Sequence, residues 1–277
     1  MIEIPESYTL ANQINETLAN KTVTTVAAAS SPHKFAWYEG DPSGYSTRLM
    51  DNKIKSARGY GMFVEISLSR ATLLFCDGVN LRLHPQAGAV PKKHQLLLEL
   101  DDQKMISATI SMYGGIYCWG EDRVFNNEYY ATARAKPSPL SDEFDENYFQ
   151  TLLSAEEVQK SSLKAALATK QRIPGFGNGR LQDVLWRAVL NPRRKTSTLS
   201  DAEINKLFSS LKTTLVDMAH SGGRSTEKDL FGQPGAYPVV MQADNKDKPC
   251  PICGTPIQKE SYMGGSVYTC ENCQPLS

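Results

Sequence analysis

Four cysteines stand close to the end of the chain, as Cys250-Pro-Ile-Cys253 and, sixteen residues later, Cys270-Glu-Asn-Cys273. Each pair can place two thiolates on one tight turn, and two such turns can close a tetrahedral sulfur site. The run from residue 266 to 269 between the pairs favours a strand, so a β-hairpin zinc ribbon is predicted. We expect one structural zinc ion held by all four cysteines. Two disulfides or an iron–sulfur cluster are the alternatives.

The rest of the composition is that of an ordinary globular protein of two or three compact units. Of the 277 residues, 40% are hydrophobic and 22% are charged. The formal net charge is zero, which neither supports nor excludes a nucleic-acid partner, because binding depends on local charge. We expect no membrane association and a cytoplasmic location, because no apolar run approaches membrane-spanning length and the acidic start lacks a secretory signal. Cys76 and Cys118 stand in apolar runs and are predicted to be buried.

The first half of the chain combines one helix with many short strands. Leu10, Ile14 and Leu18 recur every four residues and predict a helix over residues 6–20. Strands are expected over residues 21–28, 61–68, 71–75, 95–100, 105–111 and 116–119, separated by turn signals. Long helices do not alternate with these strands, so a β-sandwich or barrel-like domain over residues 1–135 is favoured over a parallel doubly wound sheet.

The second half is predicted to be helical. Residues 136–150 are rich in proline and acid and are interpreted as a linker, followed by a helical domain over residues 151–225 and the cysteine hairpin over residues 226–277. Ser154 and Glu157 form a capping-box pattern for a helix to about residue 170. A second helix is expected over residues 179–190. Ser200 and Glu203 suggest a third, which ends near Gly222-Gly223. The fold class is therefore α+β.

Several motifs together resemble the formamidopyrimidine-DNA glycosylase/endonuclease VIII family. They occur in order and with compatible spacing along nearly the whole chain: Ile2-Glu3-Ile4-Pro5-Glu6, Pro139-Leu140-Ser141-Asp142-Glu143-Phe144, Gly175-Phe176-Gly177-Asn178, Leu185-Trp186-Arg187-Ala188, Asn191-Pro192-Arg193, Gly222-Gly223-Arg224 and residues 249–257. The resemblance implies a β-sandwich domain, a helix-two-turn-helix domain and a zinc finger, with damaged or abasic double-stranded DNA in the cleft between them. It also implies a monomeric bacterial-type protein of the cytoplasm, associated with the nucleoid.

In the family, an N-terminal proline amine attacks the sugar of the damaged nucleotide, and the Schiff base that forms leads to strand cleavage. The resemblance places the family's catalytic glutamate at Glu3 and its second glutamate at Glu6. For both residues, hydrogen bonding at the N-terminus or pairing with the helix dipole is the alternative. Asn178 falls at a phosphate-binding position, with helix capping as the alternative. Lys93 and His94 resemble a phosphate-contacting pair.

Other residues could extend the DNA-binding surface. Tyr113 stands in the loop that fills the space left by a flipped base, with ordinary strand packing as the alternative. Two basic groups either widen the interface or form an ordinary solvated surface: Lys53, Lys55 and Arg58, and Arg193, Arg194 and Lys195.

Three departures from the family pattern bear on chemistry. Ile2 replaces the proline, so that a retained Met1 would move the terminal amine by up to ~3.5 Å. Tyr60 replaces a phosphate-contacting lysine, and Gly265 stands where the family hairpin carries an arginine. These losses favour a protein that binds damaged DNA without amine-based lyase chemistry. The alternative is an active glycosylase that acts on an unusual lesion through Glu3 and water or through the Met1 amine.

Overall fold

The first element, helix α1, spans Ile4–Leu18. The structure is a computed structural model that describes residues 1–86 and 89–276. Pro5 occupies the first turn, where its missing N–H leaves no helical hydrogen bond unmade. Leu10, Ile14 and Leu18 are buried, as their spacing predicts, although the helix begins two residues earlier than expected.

Six strands form an antiparallel sheet in the order β1-β6-β7-β5-β4-β3, and a seventh, β2, pairs in parallel with β7. Their bounds are β1 Val23–Ala28, β2 Ala36–Tyr38, β3 Ile54–Tyr60, β4 Phe63–Leu68, β5 Ala71–His84, β6 Leu96–Leu100 and β7 Met105–Gly120. A short helix, α2, spans Tyr45–Leu49. The sequence did not reveal β2, β3 or α2, and it divided β7 into two strands.

The long strands β5 and β7 change register at one point. Asp77 pairs with Gly114 and Val79 pairs with Ile110, so residues 111–113 bulge out of the ladder. This bulge separates one half of the sheet, formed with β3 and β4, from the other, formed with β1 and β6. Both halves contribute side chains to one core with α1, and Cys118 lies in it, as predicted. Cys76 is also buried, in a smaller cluster with Tyr130 and Ala133.

The second half is helical, with α3 Glu128–Ala135, α4 Glu146–Ser154, α5 Glu156–Gln159, α6 Leu163–Ala168, α7 Asn178–Ala188 and α8 Asp201–His220. The predicted capping box at Ser154 is wrong, because Ser154 ends α4 and Ala155 interrupts the helix. The capping groups are Asp145 for α4 and Ser162 for α6. The capping box of Ser200 and Glu203 at α8 is present as predicted.

The cysteine hairpin consists of β8 Gln258–Tyr262 and β9 Gly265–Thr269. Met263 and Gly264 connect them with φ values of 49° and 71°, which is the two-residue turn that suits a twisted hairpin. Trp186 of α7 packs in one small core with the cysteines. Within the described residues, no helix is both long and apolar enough to cross a membrane.

Two glycines allow the sheet and the helices to meet closely. Gly61 and Gly175 both have positive φ, and a Cβ on Gly175 would lie 2.2 Å from the carbonyl carbon of Gly61. Ser7 of α1 donates its hydroxyl hydrogen to the Gly61 carbonyl at 2.8 Å, and the Ile4 N–H donates to the Gly175 carbonyl at 3.2 Å. The N-terminus of α1 is thereby held where the sheet of the first half of the chain meets the helices of the second half.

Candidate functional site

A cavity of about 570 Å³ opens between the sheet and the helices at the start of the chain. Residues from both halves and from the hairpin turn line it, among them Met1, Ile2, Glu3, Met62, Asp77, Tyr113, Gln171, residues 175–180, Arg224, Glu227 and Gly264. The volume lies within the usual range for sites that hold a small organic group. We call it the central cavity.

A buried cluster of charges forms the floor of the central cavity. The Arg180 guanidinium, which is 1% exposed, donates to the Glu3 carboxylate at 2.8 Å and also contacts the Glu6 carboxylate. The Gly177 N–H donates to the other Glu3 oxygen at 2.9 Å. Arg224 is also buried and acts electrostatically on both glutamates. Two carboxylates therefore balance two guanidiniums, as buried charges require.

This arrangement changes the interpretation of both glutamates. The N–H groups at the start of α7 form a natural anion site, and the Glu3 carboxylate already occupies part of it. Burial raises the pKa of Glu3 above its ordinary value, while Arg180 and the Gly177 N–H oppose that rise. Glu6 does not cap α1, since its carboxylate contacts Arg180 instead. The predicted catalytic roles of Glu3 and Glu6 stay predictions.

The chain terminus is held in a defined position. The Ile2 side chain is buried in the sheet core, and its backbone N–H donates to the Asp77 carbonyl at 2.7 Å. The Met1 amine pairs with the Glu227 carboxylate at 2.6 Å. The nitrogen of residue 2 is thus an amide in a hydrogen bond, and the amine of the chain lies one residue away.

Asn178 begins α7, and Gly177 is the N-cap, so the capping alternative for Asn178 is wrong. The Asn178 amide instead donates to the Ser266 carbonyl of the hairpin at 2.9 Å. A second amide hydrogen is left for another acceptor. Lys164 of α6 donates to the Tyr262 carbonyl at 2.7 Å, and burial lowers the pKa of its ammonium group.

Gly265 lies against these two polar groups. A Cβ there would be 3.5 Å from the Lys164 ammonium nitrogen and 3.7 Å from the Asn178 amide nitrogen. Lys164 therefore brings a cation to the place where an arginine side chain would leave the hairpin. No sequence pattern indicates this role, because Lys164 is a single charge in an apolar helical run.

Tyr60 joins an aromatic cluster. Its ring packs edge-on against Tyr130 with centroids 6.3 Å apart, and the Arg134 guanidinium lies 5.6 Å from its centre. Arg58 is exposed nearby. Two arginines therefore surround the position at which the family carries a lysine.

The remaining predicted contact residues do not converge on one site. Tyr113 lines it, in the bulge of β7, where burial raises the pKa of its phenol. Lys93 is exposed, and His94 shares a hydrogen bond with the Pro91 carbonyl at 2.9 Å. Arg193 and Arg194 are paired with Glu260 and Glu203, so both predicted arginines have acidic partners, whereas Lys195 is exposed. Lys53 and Lys55 are exposed on the sheet.

The four cysteine sulfurs of the hairpin lie within 4.8 Å of one another. The Cys253 sulfur is 3.3 Å from that of Cys270 and 3.5 Å from that of Cys273, and the Cys250 and Cys273 sulfurs are 3.9 Å apart. Four thiolates at zinc–sulfur distances of about 2.3 Å would lie roughly 3.8 Å from each other. These separations exceed a sulfur–sulfur bond of about 2 Å. The cluster therefore fits a single four-thiolate metal ion.

Sequence reasoning missed the positively charged half of the cavity floor. Arg180 stands in no sequence motif and Arg224 only ends a family motif, and only the folded chain shows that both act on two N-terminal glutamates. Asp183 was missed as well, although its buried carboxylate accepts from the Met241 N–H at 2.7 Å and ties α7 to the segment before the hairpin.

The chain therefore combines a mainly antiparallel sheet, a set of helices and a four-cysteine hairpin. The family model described as the formamidopyrimidine-DNA glycosylase H2TH domain matches residues 136–229. The formamidopyrimidine-DNA glycosylase of Salmonella heidelberg is 26% identical over 280 residues, which cover 99% of this chain and 100% of the relative. That of Geobacillus kaustophilus is 25% identical over 290 residues, with coverage of 99% and 100%.

The fold agrees with these relatives. The Lactococcus lactis Fpg protein, solved in complex with DNA that contains an abasic site, superimposes with a TM-score of 0.84 at 21% identity and covers 99% of each chain. These similarities in sequence and fold support the formamidopyrimidine-DNA glycosylase/endonuclease VIII family that the motifs predicted.

Proposed function

We propose that this protein binds damaged or abasic double-stranded DNA across the central cavity as a monomer, with a zinc ion in its cysteine hairpin, and that amine-based lyase chemistry is lost. The observation that carries the proposal is the Ile2 nitrogen. It is an amide in a hydrogen bond to the Asp77 carbonyl, whereas the family reaction needs a free secondary amine at that position. A misplaced nucleophile loses most of the rate that orientation provides.

DNA binding is supported by the residues that remain. Asn178 keeps one amide hydrogen for a phosphate oxygen, and Lys164 supplies a cation beside it. Two relatives that match this chain over their full length are named as DNA glycosylases. We expect micromolar or tighter binding to a duplex with an abasic-site analogue. The affinity should fall as salt increases, because phosphate contacts release counterions.

Asn178→Ala should weaken binding by roughly 1–2 kcal/mol, the loss of one hydrogen bond to a charged group. Fluorescence anisotropy with a labelled duplex measures the loss at several salt concentrations. Asn147→Ala, on the distant helix α4, is the matched control and should bind like the wild type. Binding without salt dependence would exclude the phosphate contacts.

The chemical half of the proposal is tested by nicking and trapping. The wild-type protein should leave duplexes with 8-oxoguanine, thymine glycol or an abasic site intact, and borohydride should trap no covalent adduct. Ile2→Pro alone should not restore cleavage, because the missing groups act as a unit. The triple variant Ile2→Pro/Tyr60→Lys/Gly265→Arg, with Met1 removed, contains the groups that the family reaction needs for cleavage. Efficient nicking by the wild type, abolished by Glu3→Gln, would overturn the noncatalytic assignment.

One observation favours the alternative of an active glycosylase. The Met1 amine lines the central cavity, beside the Glu227 carboxylate that could accept its proton. An amine of this kind can form a Schiff base with an aldehydic sugar. A borohydride adduct that disappears when the amine is acetylated would support this route.

A further inference from the structure

Two aromatic rings and a methionine are exposed on the outer side of Tyr113. The exposed fractions are 48% for Phe35, 44% for Trp37 and 64% for Met112. The Trp37 and Tyr113 rings are 5.9 Å apart between centroids. Large apolar side chains that stand together in solvent usually mark a binding surface.

The surrounding surface is basic. We define the rim face as residues 29–38, 89–95 and 111–114. These segments contain His33, Lys34, Lys92, Lys93 and His94 but no aspartate or glutamate. The Lys34 ammonium group lies 5.4 Å from the centre of the Phe35 ring, and Lys34, Lys92 and Lys93 are exposed.

The three segments of the rim face are fixed to one another. Two hydrogen bonds, at 3.1 and 3.2 Å, join Ser31 to the His94 backbone. The Gly114 N–H donates to the Phe35 carbonyl at 3.0 Å, and β2 pairs with β7 from Gly114 to Ile116. The lysines and rings are therefore held on one surface, which continues into the central cavity through Tyr113.

We propose that the rim face binds unpaired nucleotides that leave the central cavity, and that the protein prefers DNA with unpaired bases next to the lesion. Phe35 and Trp37 stack on exposed bases, and Lys34, Lys92 and Lys93 contact the phosphates. Exposed rings with interleaved cations are the arrangement that suits single strands, because every base has a face to stack, whereas a paired duplex hides those faces. This inference rests on the proposed DNA binding and specifies its substrate class.

The test compares two labelled probes with the full-length protein at fixed salt. One is a fully paired duplex with a tetrahydrofuran abasic-site analogue. The other is identical except for about six unpaired nucleotides beside the analogue, a length typical of single-strand sites. We expect the wild type to prefer the unpaired probe by about ten-fold, and Phe35→Ala/Trp37→Ala to lose that preference while binding the paired probe within about two-fold of the wild type.

Tyr129→Ala is the matched control, because Tyr129 is 55% exposed on α3, outside the rim face. It should keep the preference. Single-stranded oligothymidylate should also quench the tryptophan fluorescence of the wild type, and Trp37→Phe should remove most of that quenching.

The outcomes separate the two proposals. Equal wild-type affinity for both probes, or an equal loss on both probes in the double variant, would overturn the rim-face inference and leave the proposed duplex binding intact. Failure of the wild type to bind either probe would overturn the proposed function as well. If the rim face serves a protein partner instead, the wild type should bind both probes with equal affinity, and oligothymidylate should not quench its fluorescence.

Discussion

Arg180 connects the start of the chain to the helical half through Glu3 and Glu6. Removing a guanidinium from between two buried carboxylates leaves their charge uncompensated, which typically costs 3–5 kcal/mol. We therefore expect Arg180→Met to lower the free energy of unfolding by about 3–5 kcal/mol in denaturant titrations. Arg180→Lys should recover only part of this loss, because one ammonium group does not reproduce the two-sided contact.

The same substitution in a variant without the two carboxylates distinguishes the charge of Arg180 from its packing as the source of stability. In Glu3→Gln/Glu6→Gln protein, the same Arg180→Met change should cost clearly less, because no buried carboxylate is left without a partner. An equal loss in both backgrounds would show that Arg180 stabilises the fold by its volume and not by its charge.

At this scale, the sequence identified the residues whose types carry a pattern. The cysteines were located by their spacing, and Glu3 and Asn178 were assigned by motif. Arg180 and Lys164 had no such pattern, and the motif that contains Arg224 did not reveal its partners, because these roles depend on groups far away in the chain. Asn178 shows the limit well: its place next to the start of a helix was predicted, but its partner, the Ser266 carbonyl, lies 88 residues away.

Among the helices, α7 ends on an unfavourable residue. Val189 has a φ of 63°, and the Leu190 N–H donates to the Leu185 carbonyl at 2.9 Å in the hydrogen-bond pattern that glycine usually completes. A left-handed conformation costs a β-branched residue roughly 1–2 kcal/mol. Val189→Gly should raise the free energy of unfolding by about 0.5–1 kcal/mol, after the extra entropy of glycine is subtracted.

The measurement is the denaturant concentration at the midpoint of unfolding. Val124→Gly is the control, because Val124 is 89% exposed and its φ is not positive. The control should not be stabilised. A lower midpoint for Val189→Gly would show that the side chain contributes more by packing than it loses by strain.

The capping box of α8 predicts a pH effect. The Glu203 carboxylate accepts hydrogen bonds from the Arg194 side chain and from the backbone and side chain of Ser200. These bonds lower the pKa of Glu203 to about 2, from an ordinary value of 4.5. A carboxyl group with a lowered folded pKa adds stability above its unfolded pKa and loses it as the pH falls through the folded one. Between pH 4.5 and about 2, the wild type should therefore lose stability more steeply than Glu203→Gln.

Denaturant midpoints across that range test the effect, with Glu156→Gln as a control because Glu156 is a highly exposed helical glutamate. Identical slopes for the wild type and Glu203→Gln would contradict it.

The two predicted capping boxes also show what a local pattern can predict. Ser200 precedes a continuous amphipathic helix and caps it, whereas Ser154 has the same pattern but is the last residue of α4, which Asp145 already caps.

For the whole molecule, the hairpin is attached to the helical half through α7. The Asn178 amide donates to the Ser266 carbonyl, the Gln274 amide donates to the Leu190 carbonyl at 2.8 Å, and Trp186 packs in the core that contains the cysteines. The sheet core and the main helical core contain none of these hairpin residues. Loss of metal should therefore affect the hairpin and α7 before it affects the rest of the chain.

We expect elemental analysis to find about one zinc per chain, and a strong chelator to unfold the hairpin, because metal binding supplies most of the folding free energy of so small a unit. Chelation should shift the tryptophan emission to longer wavelength as Trp186 becomes hydrated, and Trp186→Phe should abolish the shift. Affinity for an abasic-site duplex should fall in parallel, since Asn178 and Lys164 lose their hairpin partners, while the main unfolding transition stays cooperative. Full retention of both fluorescence and DNA affinity after verified metal removal would separate the hairpin from the binding surface.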